Sequence, residues 1–412
     1  MGPLASVLAF FSLRVASGLL LLKLSANFLP VAGFTVFSQF MLFAALLNLM
    51  AVGGAQSGLI RQSAAATGAD DLARTQGAAF VIWATAIPVL LVPVAIGGGV
   101  ISYVLTGAQD HWPALIAITA LILAAGPGQI WCGLLSGRGR VVASLSAQAL
   151  GLVVGAAGSG WLIWRGAPVL ATMAFAGGGL VTTVTAFLSA GSLRIPIATP
   201  RVAIAGVRPL LHYSAALVAT TGFSAIVLFG LRALYRGAFG HTELGYWMAA
   251  NRVSDVSTQL LGLFMIQAFV PRLAMIESHA DRRALVLRFW AAGVAGMAVA
   301  ILIFSVAARP LVHIFLSDAY LPAIPVIRTY MAGDFFRVWS SLAMYAAFAQ
   351  GRPGRYAAIE IGTLATMAAI TLVLVAAGER AAPQLGYVGA YALAAILVSI
   401  GFFRRSHAAP AA

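Results

Sequence analysis

The chain is short of charge. Only 9% of its 412 residues are Asp, Glu, Lys or Arg, against about 25% in an ordinary soluble domain. That is too little to clothe a water-facing surface. Lys23 is the sole lysine and Cys132 the sole cysteine. One cysteine excludes a disulfide-built scaffold and a Cys-x-x-Cys redox or zinc pair. The sequence has no Gly-x-x-x-x-Gly-Lys-Ser/Thr phosphate loop, so no ATPase is built in, and no His-Glu-x-x-His zinc signature. Its histidines, at 111, 212, 241, 279, 313 and 407, show no ligand spacing. Long aqueous loops of the kind that carry catalytic polar groups are missing too. No catalytic residue, metal or cofactor is therefore expected, and the chain does not read as an enzyme.

What is there is apolar. Hydrophobic residues make up 61% and the mean hydropathy is +0.96. These figures exclude disorder and point to a polytopic membrane protein of all-α class. Helices satisfy their own backbone in lipid, and no segment has the one-in-two alternation of an outer-membrane barrel. Net charge is +14, which in a soluble protein would suggest nucleic acid. Here cationic loops that orient helices and sit on anionic lipid explain it better, so no nucleic-acid partner is expected.

A helix crosses a bilayer in about 20 residues. Twelve segments emerge, over 4–28, 34–58, 78–106, 112–135, 141–163, 168–190, 209–231, 246–270, 285–308, 323–349, 354–377 and 384–403. The first, with Arg14 inside it and Lys23 near its end, reads as a retained helix rather than a cleaved signal. With both termini cytoplasmic, fifteen arginines fall inside and only Arg165, Arg232, Arg236, Arg309 and Arg380 outside, as the positive-inside rule predicts. The 191–208 connection, with Arg194, Arg201 and Arg208 and prolines at 196 and 200, is basic and stiff. It divides a six-helix bundle over 1–190 from a second over 209–412. Gly137-Arg138 recurs as Gly351-Arg352, a shift of 214. Gly33-Phe34 with Gln39 recurs as Gly245-Tyr246 with Asn251, a shift of 212. Near-equal shifts predict duplicated halves in parallel orientation.

Charges at membrane depth are the informative residues, because each costs a few kcal/mol in hydrocarbon. In segment eight Arg252 and Asp255 are three apart, flanked by Asn251 and Gln259. Segment ten repeats the spacing with Asp334 and Arg337, after Arg328, and segment eleven adds Glu360. Two readings stand side by side: neutralised pairs that hold helices together, or the lining of a polar cavity between the bundles in which Asp255 and Asp334 titrate. The first half offers Arg14, Lys23, Asn27, Gln39, Asn48, Gln56 and Arg61. Lys23 either snorkels to the interface or lines the cavity. Base in excess of acid suits an anionic substrate, phosphate or pyrophosphate above all. Gly126-Pro127-Gly128 and the prolines at 88 and 93 read equally as hinges or as close packing, and packing is the better reading of Gly177-Gly178-Gly179.

These residues resemble motifs of the bacterial polysaccharide flippases of the multidrug/oligosaccharidyl-lipid/polysaccharide exporter superfamily, nearest to the lipid III flippases of enterobacterial common antigen synthesis and the O-antigen translocases. Ser17-Gly18-Leu19-Leu20 through Lys23-Leu24 resembles the family's Gly-Leu-Leu…Lys-Leu stretch, and Pro30 through Gly33 its Gly-Pro-x-Gly turn, with Leu29 for the first glycine. Gly53, Gly58 and Arg61 fall at its glycine-rich end of helix two. Gly245-Tyr246-Trp247 with Val253-Ser254-Asp255 is similar to Gly-x-Trp…Ile-Ser-Asp. Phe269-Val270-Pro271-Arg272-Leu273 is similar to Leu-Leu-Pro-x-Leu-Ser, and Ala332-Gly333-Asp334 through Arg337-Val338 to Val-Gly-Asp-x-x-Lys-Val. The run from Ala357 to Glu360 resembles a segment ending in Ala-Glu.

The resemblance implies twelve helices in two bundles in the bacterial inner membrane. It implies alternating access that moves an undecaprenyl-pyrophosphate-linked oligosaccharide to the periplasmic leaflet, with H+ or Na+ as a coupling ion. Arg14, Lys23, Arg61, Arg252 and Arg337 would then meet pyrophosphate, while Asp255, Asp334 and Glu360 would couple or gate. Membrane lipids, a polysaccharide polymerase and a chain-length regulator are the implied partners; the sugar is that of common antigen, O-antigen, capsule or exopolysaccharide. A multidrug/cation antiporter of the same architecture is the alternative, and a membrane-embedded polysaccharide assembly component a further one.

Overall fold

The computed structural model describes residues 3–52, 56–191, 200–264, 269, 273, 276, 278–349 and 353–407. Among them the regular structure is helical: α1 (Pro3–Phe28), α2 (Val31–Ala51), α3 (Gln56–Ala65), α4 (Ala69–Thr106), α5 (Trp112–Gly137), α6 (Val141–Trp164), α7 (Pro168–Ala190), α8 (Pro200–Phe264), α9 (His279–Phe315), α10 (Ile324–Ala349), α11 (Pro353–Ala376) and α12 (Ala382–His407), with a 3-10 turn at Asp318–Ala323 before α10. Among the described residues, ten helices are long and apolar enough to cross a membrane. One of them, Val218–Asp255, lies within α8, which breaks at Gly240 (φ 87°, ψ 177°). Helix α10 is long enough, yet it carries Arg328, Asp334 and Arg337 and is not among the ten. The chain is a multi-pass, all-α membrane protein.

It divides into two compact units, Met1–Ala225 and Ile226–Ala412. Of the expected 191–208 connection, residues 192–199, Arg194 among them, lie outside the described residues and 200–208 form the start of α8; Gly53, 270–272 and Arg352 also lie outside the described residues.

Several bounds differ from the sequence reading, and two of the differences bear on candidate charges. The segment expected over 34–58 ends at Ala51, and a separate helix, α3, begins at Gln56; Arg61 therefore sits on a helix. The stretch 232–245, expected as an outer loop, is helical apart from Gly240. Its arginines are not loop charges: Arg232 and Arg236 are 4% and 9% exposed. Hydropathy misjudged this stretch because two guanidiniums lower its score whether they meet water or protein partners.

Tight turns in both units use one device. Gly139, Gly166 and Gly378 have φ of 78°, 74° and 78°. Each follows a helix end where the next amide reaches back five residues: Arg140 N–H to the Leu135 carbonyl (2.8 Å), Ala167 to Leu162 (3.0 Å) and Glu379 to Leu374 (2.9 Å). These are glycine-stopped helix ends of the Schellman type.

In the first unit, helices approach closely through small residues. A Cβ on Gly155 would lie 2.8 Å from the Phe175 carbonyl oxygen, and one on Gly128 would lie 2.7 Å from the Thr183 Cα. Of the 177–179 run, Gly178 and Gly179 are packing residues, against α6 and Ala125, while Gly177 faces open space. The Gly126-Pro127 step is also filled. Pro127 has no N–H to give the carbonyl four residues back, which is that of Leu123. The Trp83 indole of α4 donates to that carbonyl at 2.7 Å, and Gly126 makes room for the ring. The site therefore reads as a packed joint.

Candidate functional site

The second unit holds a connected polar cluster at the depth of its spans. It grows from short sequence steps on three helices: Trp247, Asn251, Ser254 and Asp255 on α8, Tyr330, Asp334 and Arg337 on α10, and Tyr387 and Tyr391 on α12. Spacings of three and four keep each set on one helix face. Gly333 lets α12 come close, because a Cβ there would overlap the Tyr387 ring.

Asp334 is 1% exposed. Its Oδ1 accepts from the Tyr387 hydroxyl at 2.6 Å and from Ser254 Oγ at 2.7 Å. The Tyr387 oxygen in turn accepts from Arg337 Nη1 at 3.1 Å. Asp334 and Arg337, expected to interact as a pair three apart, are thus linked through a phenol. Arg337 also lies over the Tyr391 ring, 5.3 Å from its centroid. Tyr330 stacks on Tyr387 at 4.5 Å and accepts the Trp247 indole N–H at 2.6 Å. A carboxylate that accepts two hydroxyl hydrogens is stabilised in place of its lost water, which is the condition for holding charge away from solvent.

A second strand of the cluster begins at Arg232. Its Nη2 donates to Asn251 Oδ1 at 2.6 Å, and its guanidinium lies 5.7 Å from the centroid of the Trp247 ring. Asn251 Nδ2 then donates to Asp255 at 3.4 Å. Asp255 is 3.7 Å from Arg252, with side chains 38% and 33% exposed. The expected Arg252–Asp255 pair is present but loose. Glu360, on α11, is half-buried and within electrostatic reach of Arg337. Gln259 has no described side chain.

Arg232 and the three tyrosines were not picked out from sequence, and Trp247 entered only as part of the Gly245-Tyr246-Trp247 motif. For Arg232 a signal existed: Arg232, Tyr235, Arg236 and Phe239 have the i, i+3, i+4, i+7 spacing of a helix face. Tyrosines give none, since aromatics are common in spans.

In the first unit the three basic candidates lie on two helices. Arg14 is exposed and Lys23 half-buried on α1, and Arg61 is exposed on α3. Helix α1 packs mainly on α6, and α3 on α5 and α4. Arg328 has a structural partner: it donates to the Ser305 carbonyl at 3.0 Å, beside the break in α9 at Ala307. Among the described residues, no three His, Cys, Asp or Glu side chains converge as metal ligands would.

A family model described as "Polysaccharide biosynthesis protein" matches residues 138–325, less than half of the chain. No curated protein matches by sequence. Solved structures match over nearly the whole length. The lipid II flippase MurJ, in an inward closed conformation, superposes with a TM-score of 0.76 at 11% identity, covering 97% of this chain and 87% of that one. An inward-facing multidrug resistance transporter of the MATE family, in the MOP superfamily, gives 0.71 at 14%, covering 96% and 94%. A MOP superfamily transporter from Pyrococcus furiosus gives 0.66 at 14%, covering 97% and 94%. The chain therefore has the fold of the MOP superfamily.

Proposed function

We propose that this protein is a transporter, not an enzyme, and that it moves an undecaprenyl-pyrophosphate-linked oligosaccharide from the cytoplasmic to the periplasmic leaflet by alternating access. The observation that carries the substrate reading is the run from residue 1 to 69, which holds Arg14, Lys23 and Arg61 and no acidic residue. A stretch whose charged residues are all cationic attracts a multivalent anion. The match of residues 138–325 to a polysaccharide biosynthesis family supports it. We place twelve crossings in two six-helix halves, 1–190 and 209–412, with both termini cytoplasmic in the bacterial inner membrane. Arg252 and Arg337 assist pyrophosphate binding, and Asp255, Asp334 and Glu360 couple the cycle to H+ or Na+.

A second reading, a multidrug/cation antiporter, has an observation of its own. The second unit sets Asp334 among Tyr330, Tyr387, Tyr391 and Trp247, acid and aromatic groups of the kind that hold organic cations, and several of the similar structures are multidrug transporters. One experiment separates the two. Purified protein in proteoliposomes is given an undecaprenyl-pyrophosphate oligosaccharide, read with a membrane-impermeant probe, or a lipophilic cation, read by efflux, each with and without an ion gradient. Protein-dependent flipping without cation efflux supports the first reading; efflux without flipping replaces it with the second.

A further inference from the structure

We infer that the second unit carries a binding site for one chain of an anionic membrane phospholipid, separate from the Asp334 cluster and independent of the transported substrate. A cavity of about 250 Å3 lies between α9, α10 and α12, lined by Trp290, Phe335, Phe336, Trp339, Ala395 and Ser399 among others. Its one hydroxyl is already used: Ser399 Oγ accepts the Trp339 indole N–H and donates to the Ala395 carbonyl. A half-open space whose only hydroxyl is already spent offers water few of the two to four partners that it needs. A hydrocarbon chain fills it at no polar cost. Trp290 and Trp339, 5.1 Å apart and nearly edge-on, give that chain flat walls.

The charge of the ligand follows from the helix that forms one wall. Leu287, Trp290 and Val294 of α9 line the cavity. The residue four before Leu287 is Arg283, which is exposed. Residues 283, 287, 290 and 294 follow the spacing of a single helix face, so Arg283 stands about 6 Å along the axis from Leu287, one turn beyond the apolar wall. A phosphate whose acyl chain runs along this face meets the guanidinium as it leaves the hydrocarbon. Apolar wall and cation in series fit a phospholipid with net negative charge better than a zwitterion, whose own cation would meet Arg283.

Native mass spectrometry of the full chain in detergent, titrated with phosphatidylglycerol and phosphatidylcholine of identical chains, tests this. One phosphatidylglycerol should bind about tenfold more tightly than phosphatidylcholine. Ala395→Phe, which fills the cavity, should remove that bound lipid, and Arg283→Gln should bring the two lipids level. Should Ala395→Phe fail to fold, quenching by brominated-chain phosphatidylglycerol serves: it should saturate at low lipid in the wild type and lose that saturable part in Trp290→Phe. Equal binding of the two lipids, or a bound phosphatidylglycerol that survives Ala395→Phe, overturns the site. Undecaprenyl phosphate displacing phosphatidylglycerol at lower concentration overturns the phospholipid assignment.

Discussion

The two units solve opposite problems with the same helices. The first holds its helices together by bringing backbones close: Gly128, Gly155 and Gly178 let α5, α6 and α7 touch. Its marked hydrogen bonds repair backbone, as Trp83 does for the Leu123 carbonyl. The second spends polar side chains on one another, from Arg232 through Asn251 to Asp255, and from Arg337 through Tyr387 to Asp334 and Ser254. Buried polar networks are costly when incomplete and specify one arrangement when complete. The contrast sets backbone-to-backbone packing in the first unit against side-chain hydrogen bonding in the second.

Asp334→Asn should break that contrast most severely. An amide turned to keep Oδ1 toward Ser254 and Tyr387 loses the charge that draws both donors, so transport should fall at least tenfold at matched membrane abundance, roughly the worth of one charge-assisted bond. Unchanged flux would remove Asp334 from the cycle. Next comes Gly155→Leu in the first unit. Forcing α6 from α7 should cost about 1–3 kcal/mol, seen as a lower thermal midpoint, and should leave the ratio of transport rates with and without an ion gradient unchanged in the surviving protein.

Trp83→Phe should cost a similar or smaller amount, about 1–3 kcal/mol for an unsatisfied carbonyl. The cost should largely vanish in the Pro127→Ala background, where the helix supplies its own donor; a double-mutant cycle without coupling would remove the indole from that role. Tyr387→Phe keeps the ring stack on Tyr330 but deletes a donor to Asp334 and the acceptor of Arg337, about 1.5–3 kcal/mol for a bond to a charged group, with transport reduced less than by Asp334→Asn. Smallest in stability is Arg61→Gln, an exposed change within about 0.5 kcal/mol. Its effect should appear instead as weaker engagement of a pyrophosphate lipid, measured by binding to reconstituted protein.

Much of the frame was legible from sequence because hydrocarbon imposes a single rule on long apolar runs. Helices α5, α6 and α7 lie within two residues of their expected bounds. Asp334 and Asp255 could be singled out because their cost in lipid is large whatever surrounds them. Who answers each charge was not legible. Tyr387 lies 53 residues from Asp334, and Ser254 lies 80, separations at which only the packed structure names a partner. Arg232 was assigned to water because a buried guanidinium and a solvated one look alike in a hydropathy window.

The indole over Leu123 has a consequence for how the chain is made. Trp83 precedes its acceptor by 40 residues, so during synthesis the donor leaves the ribosome first. When the proline-containing helix follows, its partner is on the helix immediately before it. A lipid-facing carbonyl, which costs several kcal/mol, can be covered as soon as that one hairpin closes, without waiting for any later part of the protein.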